Sequence, residues 1–147
     1  MIYENILEKA GYNLSTVEIK TYATLFHSLE QETDIPWKLI AATVWVESNY
    51  NPNAHNKKTN CKGIMQLKSN TAKWIAEKHN INYSESMLWN PVSNIILGTY
   101  YLKANSKNGL KHAVNTFVGG PKYKKGNYQK YYCNTVWKEY QRLLKLH

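Results

Sequence analysis

The sequence predicts a mainly α-helical single domain with a small irregular or β excursion over residues 51–66. Three observations predict it. Apolar residues recur at three- and four-residue intervals along most of the chain, several of these runs open on a capping residue or a proline, and no stretch alternates convincingly as a strand. At 147 residues there is room for one core only. With 43% hydrophobic and 20% charged residues the composition is that of an ordinary globular protein.

Residues 1–35 read as one or two helices that either pack against the remainder or dock a partner. Within them Ser15-Thr16-Val17-Glu18 has the S-x-x-E form of a capping box, and Ile19, Tyr22, Ala23, Phe26 and Leu29 keep helical spacing after it. Pro36 stands at a natural first helical position, ahead of Trp37, Ile40, Ala41, Val44 and Trp45. That helix runs to Glu47 and is broken by Asn51-Pro52-Asn53. Ser69 or Asn70 can cap a helix from Thr71 to Lys78, and Pro91 can open another that carries Ile95, Ile96, Gly98, Tyr101 and Leu102. A short helix from Leu110 to Phe117 ends at Gly119-Gly120-Pro121. The last, from about Tyr128 to Leu146, repeats Tyr132, Val136, Trp137, Tyr140, Leu143 and Leu144 on one face. There is no internal repeat, low-complexity tract or Pro/Gly-rich linker.

Composition narrows the classes of function. The longest apolar run, residues 39–46, is interrupted by Thr43 and falls far short of the roughly 20 residues of a membrane span. The start, Met1-Ile2-Tyr3-Glu4-Asn5, lacks the basic and then apolar pattern of a signal peptide, so export is expected by another route or after loss of a leader. Cys61 and Cys133 are too few for a disulfide scaffold; one bridge and two thiols both remain open. They make no metal cluster with the five histidines, so neither metal nor cofactor is expected. Nineteen basic residues against ten acidic ones give a net charge of +9, which suits an anionic partner. Only one of the basic residues, Arg142, is arginine, which argues against nucleic acid, because bidentate contacts to phosphate and guanine favour that side chain. Five Trp and twelve Tyr exceed what a small core needs, and amphipathic rings suit the stacking of sugars or bases.

Among the ten acidic residues, Glu47 is the one in an unusual setting. It ends the most apolar helix, in Ala42-Thr43-Val44-Trp45-Val46-Glu47-Ser48. Desolvation and the negative end of the helix dipole both raise a carboxyl pKa there, and a carboxyl protonated near neutral pH is what a general acid requires. The plainer reading is a buried glutamate satisfied by a structural hydrogen bond.

The residues that follow carry a resemblance. Glu47-Ser48-Asn49-Tyr50-Asn51-Pro52-Asn53-Ala54, then Gly63-Ile64-Met65-Gln66-Leu67 and Thr71-Ala72, resemble the soluble lytic transglycosylase family, lysozyme-like enzymes that cleave the glycan of bacterial peptidoglycan. Asn90-Pro91, Asn94-Ile95, Gly98 and Tyr101-Leu102 are similar to that family's N-I-x-x-G-x-x-Y-L helix, and Tyr132, Val136 and Tyr140 to its closing helix, with Cys133 in place of valine. The resemblance covers residues 36–140 and implies a lysozyme-like catalytic region over 36–147. It implies that Glu47 is the catalytic acid/base and that Ser48 holds its side chain or the adjoining turn. It further implies that Gly63 lets backbone approach the cleft, while Met65 and Gln66 line the cleft and contact sugar.

The pattern departs from the family's at several points. Thr116-Phe117-Val118-Gly119-Gly120-Pro121 stands where the family has A-Y-N-A-G-P, so Phe117 lacks a hydroxyl and Val118 an amide expected near substrate. Tyr123, Tyr128 or Tyr132 could supply the hydroxyl and Asn115 the amide. The loop at residues 55–62 is about one residue longer than the family form, with Asn56 where serine is usual, and Asn127 or Tyr128 replaces the glutamate that commonly opens the last helix. The substrate-binding candidates are thus Ser48, Asn56, Gly63, Met65, Gln66, Phe117, Val118 and Tyr132.

A two-carboxylate glycosidase needs a second acid roughly 5 to 9.5 Å from the first. No Asp or Glu follows Glu47 through Asn70, whereas a lytic transglycosylase works with one carboxyl group. The expected activity is therefore cleavage of the MurNAc-β-1,4-GlcNAc bond with formation of a 1,6-anhydro sugar. The alternatives are a hydrolytic lysozyme and a catalytically weak glycan-binding or assembly protein that keeps the fold. The expected partner is the peptidoglycan glycan strand, met by a monomer in the bacterial cell wall or periplasm, without nucleic acid or stable membrane insertion. A short, basic enzyme with no visible leader resembles a phage lysin, or a wall-opening component of a virion or secretion apparatus.

Overall fold

A computed structural model describes residues 2–119 and 127–147, with side chains for 2–118 and 134–147. Its helices are α1 (Ile2–Ala10), α2 (Thr16–Thr33), α3 (Trp37–Ser48), α4 (Ser69–Lys78), α5 (Pro91–Ala104), α6 (Leu110–Gly119) and α7 (Asn127–Leu144). The expected excursion is a two-stranded antiparallel hairpin, β1 (His55–Asn56) and β2 (Cys61–Lys62), in the register His55↔Lys62 and Asn56↔Cys61. A short 3-10 turn, Glu85–Trp89, precedes α5 and was not anticipated. It leaves no apolar period to read, since only Leu88 of its residues is buried.

Local chemistry sets the helix ends. The capping box at α2 is complete: Glu18 N–H donates to Ser15 Oγ (3.1 Å) and Ser15 N–H to Glu18 Oε1 (3.0 Å). Pro36 lies just outside α3 rather than within it. The first free amide of α3, Trp37 N–H, donates to Glu30 Oε2 (2.7 Å), and the other oxygen of Glu30 accepts from Tyr3 OH (2.8 Å). One carboxylate of α2 thereby fixes α1 and the start of α3. Helix α4 opens at Ser69, two residues earlier than its expected start at Thr71, and Ser69 does not cap it. Its hydroxyl instead donates to Glu85 Oε1 (2.7 Å) and accepts from Lys62 Nζ (3.1 Å). At α5 the cap is Asn90, whose side chain accepts from Ser93 N–H (3.0 Å).

Helix α3 is the centre of the fold. Leu39, Ile40, Ala41, Ala42, Thr43 and Val44 are all buried, so this helix is covered on every side instead of along one stripe. It packs most extensively on α7, and α2 packs on both α3 and α5. Core residues come from α1 through α7 and form one cluster with Phe26, Ile64, Ile75, Leu88 and Val136. A buried polar group closes the bundle from the α7 side. Glu139 accepts from Tyr12 OH and from Arg142 Nε and Nη2 (both 2.8 Å), and Arg142 Nη2 also donates to Ala10 O (2.9 Å).

The loop after the hairpin is held by Asn94 of α5, which is completely buried. Its Oδ1 accepts from Met65 N–H (2.9 Å), and its Nδ2 donates to Lys62 O (3.1 Å) and Leu88 O (2.9 Å). Asn94→Ala strands these groups away from water at about 1–3 kcal/mol each when unpaired. A loss of about 3 kcal/mol and a Tm lower by about 10 °C are expected in thermal unfolding. A change of under 2 °C would show that the loop holds itself.

Candidate active site

Glu47 is the penultimate residue of α3, which ends when Asn49 turns left-handed (φ 52°) and donates its N–H to Trp45 O (2.8 Å). The next residue, Tyr50, is also left-handed (φ 62°), buried, and anchored by its hydroxyl to Ala41 O (3.0 Å). The chain thus doubles back at once and brings the hairpin and its loop against the end of α3.

That loop is tightly folded. Lys62 N–H donates to Leu67 O (2.9 Å) and Leu67 N–H to Lys62 O (3.0 Å), while Gly63 N–H donates to Ala54 O (2.8 Å). Gly63 adopts φ +80°, and a Cβ there would stand 2.0 Å from Leu88 O and 2.3 Å from Asn94 Nδ2, so only glycine fits. Its close approach is to the start of α5. Ser48 Oγ donates to Ile64 O (2.6 Å), and this bond clasps the loop to the residue beside Glu47.

Glu47 itself is half-buried. Packed protein strips water from its carboxyl, and this desolvation pushes it up to about 8. All ten acidic residues of the chain fall within the described side chains. None accounts for the shift, whose cause is burial. Four of the others are held elsewhere: Glu30 by Tyr3 and Trp37, Glu32 by Tyr100, Glu139 by Tyr12 and Arg142, and Glu85 by Lys62, Ser69 and Tyr83. The bonds from Lys62, Ser69 and Tyr83 hold the Glu85 carboxyl down to about 2. Glu18 is spent in the capping box, and Asp34 is the left-handed cap that ends α2.

The other candidates do not all lie together. Ser48, Gly63 and Gln66 converge on the loop beside Glu47. Gln66 takes a left-handed backbone (φ 54°), and its Nε2 donates to Ala54 O and Gly63 O (both 2.9 Å), so its amide nitrogen is committed to holding the loop. Met65 is placed otherwise than expected. It is completely buried, and a Cβ on Gly98 would lie 2.5 Å from its sulfur, so it fills the core against α5 and does not line a cleft. Asn56 is exposed in the hairpin, where its Oδ1 accepts from Lys58 N–H (3.0 Å) and Thr59 N–H (3.3 Å) and closes the turn. Phe117 and Val118 are half-buried on α6, with Phe117 against the Tyr101 ring at 5.6 Å. Tyr132, Tyr123 and Tyr128 lie outside the residues whose side chains are described, as do Cys133 and Asn127, and Gly120 and Pro121 lie outside the described residues altogether. Cys61 is a free thiol. In the sequence Asn94 stands out as the first residue of the N-I-x-x-G-x-x-Y-L match, with no role attached to it; the bonds of its amide supply that role.

Among the described residues there is no cluster suited to a metal ion, and no helix is long and apolar enough to cross a membrane.

Comparison with known proteins gives a consistent picture. The family described as transglycosylase SLT domain matches residues 24–134. A putative soluble lytic murein transglycosylase of Haemophilus influenzae is 34% identical over 123 residues, which are 83% of this chain and 20% of that protein. A membrane-bound lytic murein transglycosylase F of Marinobacter nauticus is 35% identical over 66 residues, 45% of this chain and 13% of that one. This chain therefore spans a fifth or less of the length of these relatives. Among solved structures, an inactive mutant of the lytic transglycosylase Slt of Pseudomonas aeruginosa superposes with a TM-score of 0.73 at 21% identity, over 84% of this chain and 24% of that one. The 70 kDa soluble lytic transglycosylase of Escherichia coli gives 0.63 at 20% identity, over 94% and 25%. The mainly α, lysozyme-like fold is thus shared.

The raised Glu47 carboxyl has a consequence for stability. The unfolded chain releases this proton near 4.5, the folded chain near 8, so between those values the folded state binds more protons and loses stability as pH rises. Glu47→Gln removes the penalty. Its Tm should match that of the parent chain near pH 4 and exceed it by several degrees at pH 8.5, in paired thermal melts. A Tm difference that does not vary with pH would contradict the desolvated carboxyl.

Proposed function

The chain belongs to the transglycosylase SLT domain family, and on that premise we propose that it is a peptidoglycan lytic transglycosylase whose single acid/base is Glu47. The observation that carries this reading is the position of Glu47 at the end of the buried helix α3, beside the loop that Ser48 clasps, where desolvation pushes its carboxyl up to about 8. An acid of that kind suits protonation of a glycosidic oxygen at neutral pH.

The chemistry proceeds with one carboxyl group. Glu47 gives its proton to the oxygen between N-acetylmuramic acid and N-acetylglucosamine, and the C1–O bond breaks. The muramoyl C6 hydroxyl then adds to the oxocarbenium-like C1, and its proton passes to the Glu47 carboxylate. The acid is regenerated, a 1,6-anhydro ring is formed, and no water is consumed. A hydrolytic route calls for a second carboxylate to activate water or bond to C1. The engagement of Glu30, Glu32, Glu85 and Glu139 in bonds of their own favours the transglycosylase. Ser48, Gly63 and Gln66 act in this scheme as positioning residues that hold the loop against the end of α3. The place of action is the cell wall, to whose carboxylates and anionic polymers a chain of net charge +9 is drawn.

Mass spectrometry of the soluble products from purified peptidoglycan tests the reading. Anhydro-muropeptides, lighter by one water than hydrolysis products, are expected, and Glu47→Gln should release them at least about a hundredfold more slowly. Reducing-end muropeptides would make the chain a hydrolase. No release by folded protein would leave it a glycan-binding protein, a reading that the missing hydroxyl at Phe117 would then explain.

A further inference from the structure

A pocket of about 350 Å³ lies between α4 and α5, lined by Asn70, Thr71, Trp74, Tyr101 and Asn105. None of these residues bonds to Glu47 or takes part in the hydrogen bonds that hold the loop beside it. Trp74 is 47% exposed, although the two residues that follow it, Ile75 and Ala76, are completely buried. Its ring is nonetheless held. The Tyr101 ring stands edge-on to it (88°) at 6.5 Å, and Lys78 Nζ lies 4.8 Å from its centroid. Lys78 is not among the residues that line the pocket.

The polar rim is also ordered. Asn105 Nδ2 donates to Tyr101 O (3.0 Å), which fixes the orientation of the amide and points its oxygen away as an acceptor. Asn70 is exposed and Thr71 half-buried. A second pocket of about 260 Å³ shares Asn70 and continues past Lys68 to Thr59 and Asn60 at the hairpin. The Tyr101 ring also packs against Phe117 of α6 at 5.6 Å.

A rigid, half-exposed indole flanked by amide and hydroxyl groups has the two-sided chemistry of a pyranose ring, apolar on its C–H face and polar at its edge. We propose that this pocket is a second sugar site, in which one N-acetylated pyranose of a glycan strand stacks on Trp74 while its polar groups bond to Asn70, Thr71 and Asn105. The assignment rests on the glycan-cleaving reading above. It gives the chain a grip on the strand separate from the cleaved bond.

The full chain carrying Glu47→Gln, which binds without turning over, is the material for the test. Tetra-N-acetylchitotetraose is titrated while the five indole N–H signals are followed by NMR, with the Trp74 signal identified by its loss in Trp74→Phe. The same protein, with and without Trp74→Ala, is co-sedimented with insoluble peptidoglycan. The expected results are a saturable shift of the Trp74 signal and retention on peptidoglycan about tenfold weaker with Trp74→Ala, recovered in large part by Trp74→Phe. A still Trp74 signal while other indoles move, or equal retention with Trp74→Ala, would overturn the second site and leave the Glu47 reading standing. Absence of any binding to either probe would overturn both together.

Discussion

Three hydrogen bonds from one buried amide hold the loop beside Glu47 in place. Asn94 ties Met65 N–H, Lys62 O and Leu88 O to the first turns of α5. The loop so held presents Ile64 O to Ser48, and Ser48 neighbours Glu47. A displacement of Asn94 would therefore propagate through two hydrogen bonds to the end of α3. The close packing around it allows little give: Gly63 has no space for a Cβ, and Gly98 has none without moving Met65.

The second constraint is solvation. Glu47 sits where a charged carboxylate is disfavoured, and its proton is retained to about pH 8. The fold bears this cost at one glutamate only. Glu139, which is more deeply buried, is matched by Tyr12 and by both near nitrogens of Arg142, and Glu85 is held ionised by three donors at the surface. This contrast between a carboxyl with no bonding partner among the described residues and several satisfied ones is the arrangement expected of a site built for proton transfer. It also fits the membership of the chain in the transglycosylase SLT domain family.

Much of this was legible in the sequence, because caps and helical periods are local. The capping box at Ser15, the proline ahead of α3 and the apolar run that ends in Glu47 all act within one or two turns of themselves. The roles of residues in the loop were less legible, because they depend on what lies across the fold. Met65 looked like a cleft residue but is core, since Gly98 leaves space for its side chain. Gln66 spends its amide nitrogen on Ala54 O and Gly63 O, a loop-holding role that the motif alone does not reveal. Ser69 reads as a cap until Glu85, sixteen residues on, takes its hydroxyl. Asn94 was visible as part of the N-I-x-x-G-x-x-Y-L match, but its three bonds reach residues 6 to 32 positions away, and the exposure of Trp74 likewise depends on the packing of α4 against α5.

The account turns on the protonation of one carboxyl, and that can be read directly. Glutamate labelled with ¹³C at the side-chain carboxyl, assigned to Glu47 by loss of its signal in Glu47→Gln, can be titrated by NMR from pH 3 to 10. The account predicts one signal with an inflection near 8, while Glu85 titrates near 2 or not at all within the range. An inflection for Glu47 near 4.5, the value of an ordinary glutamate, would contradict it.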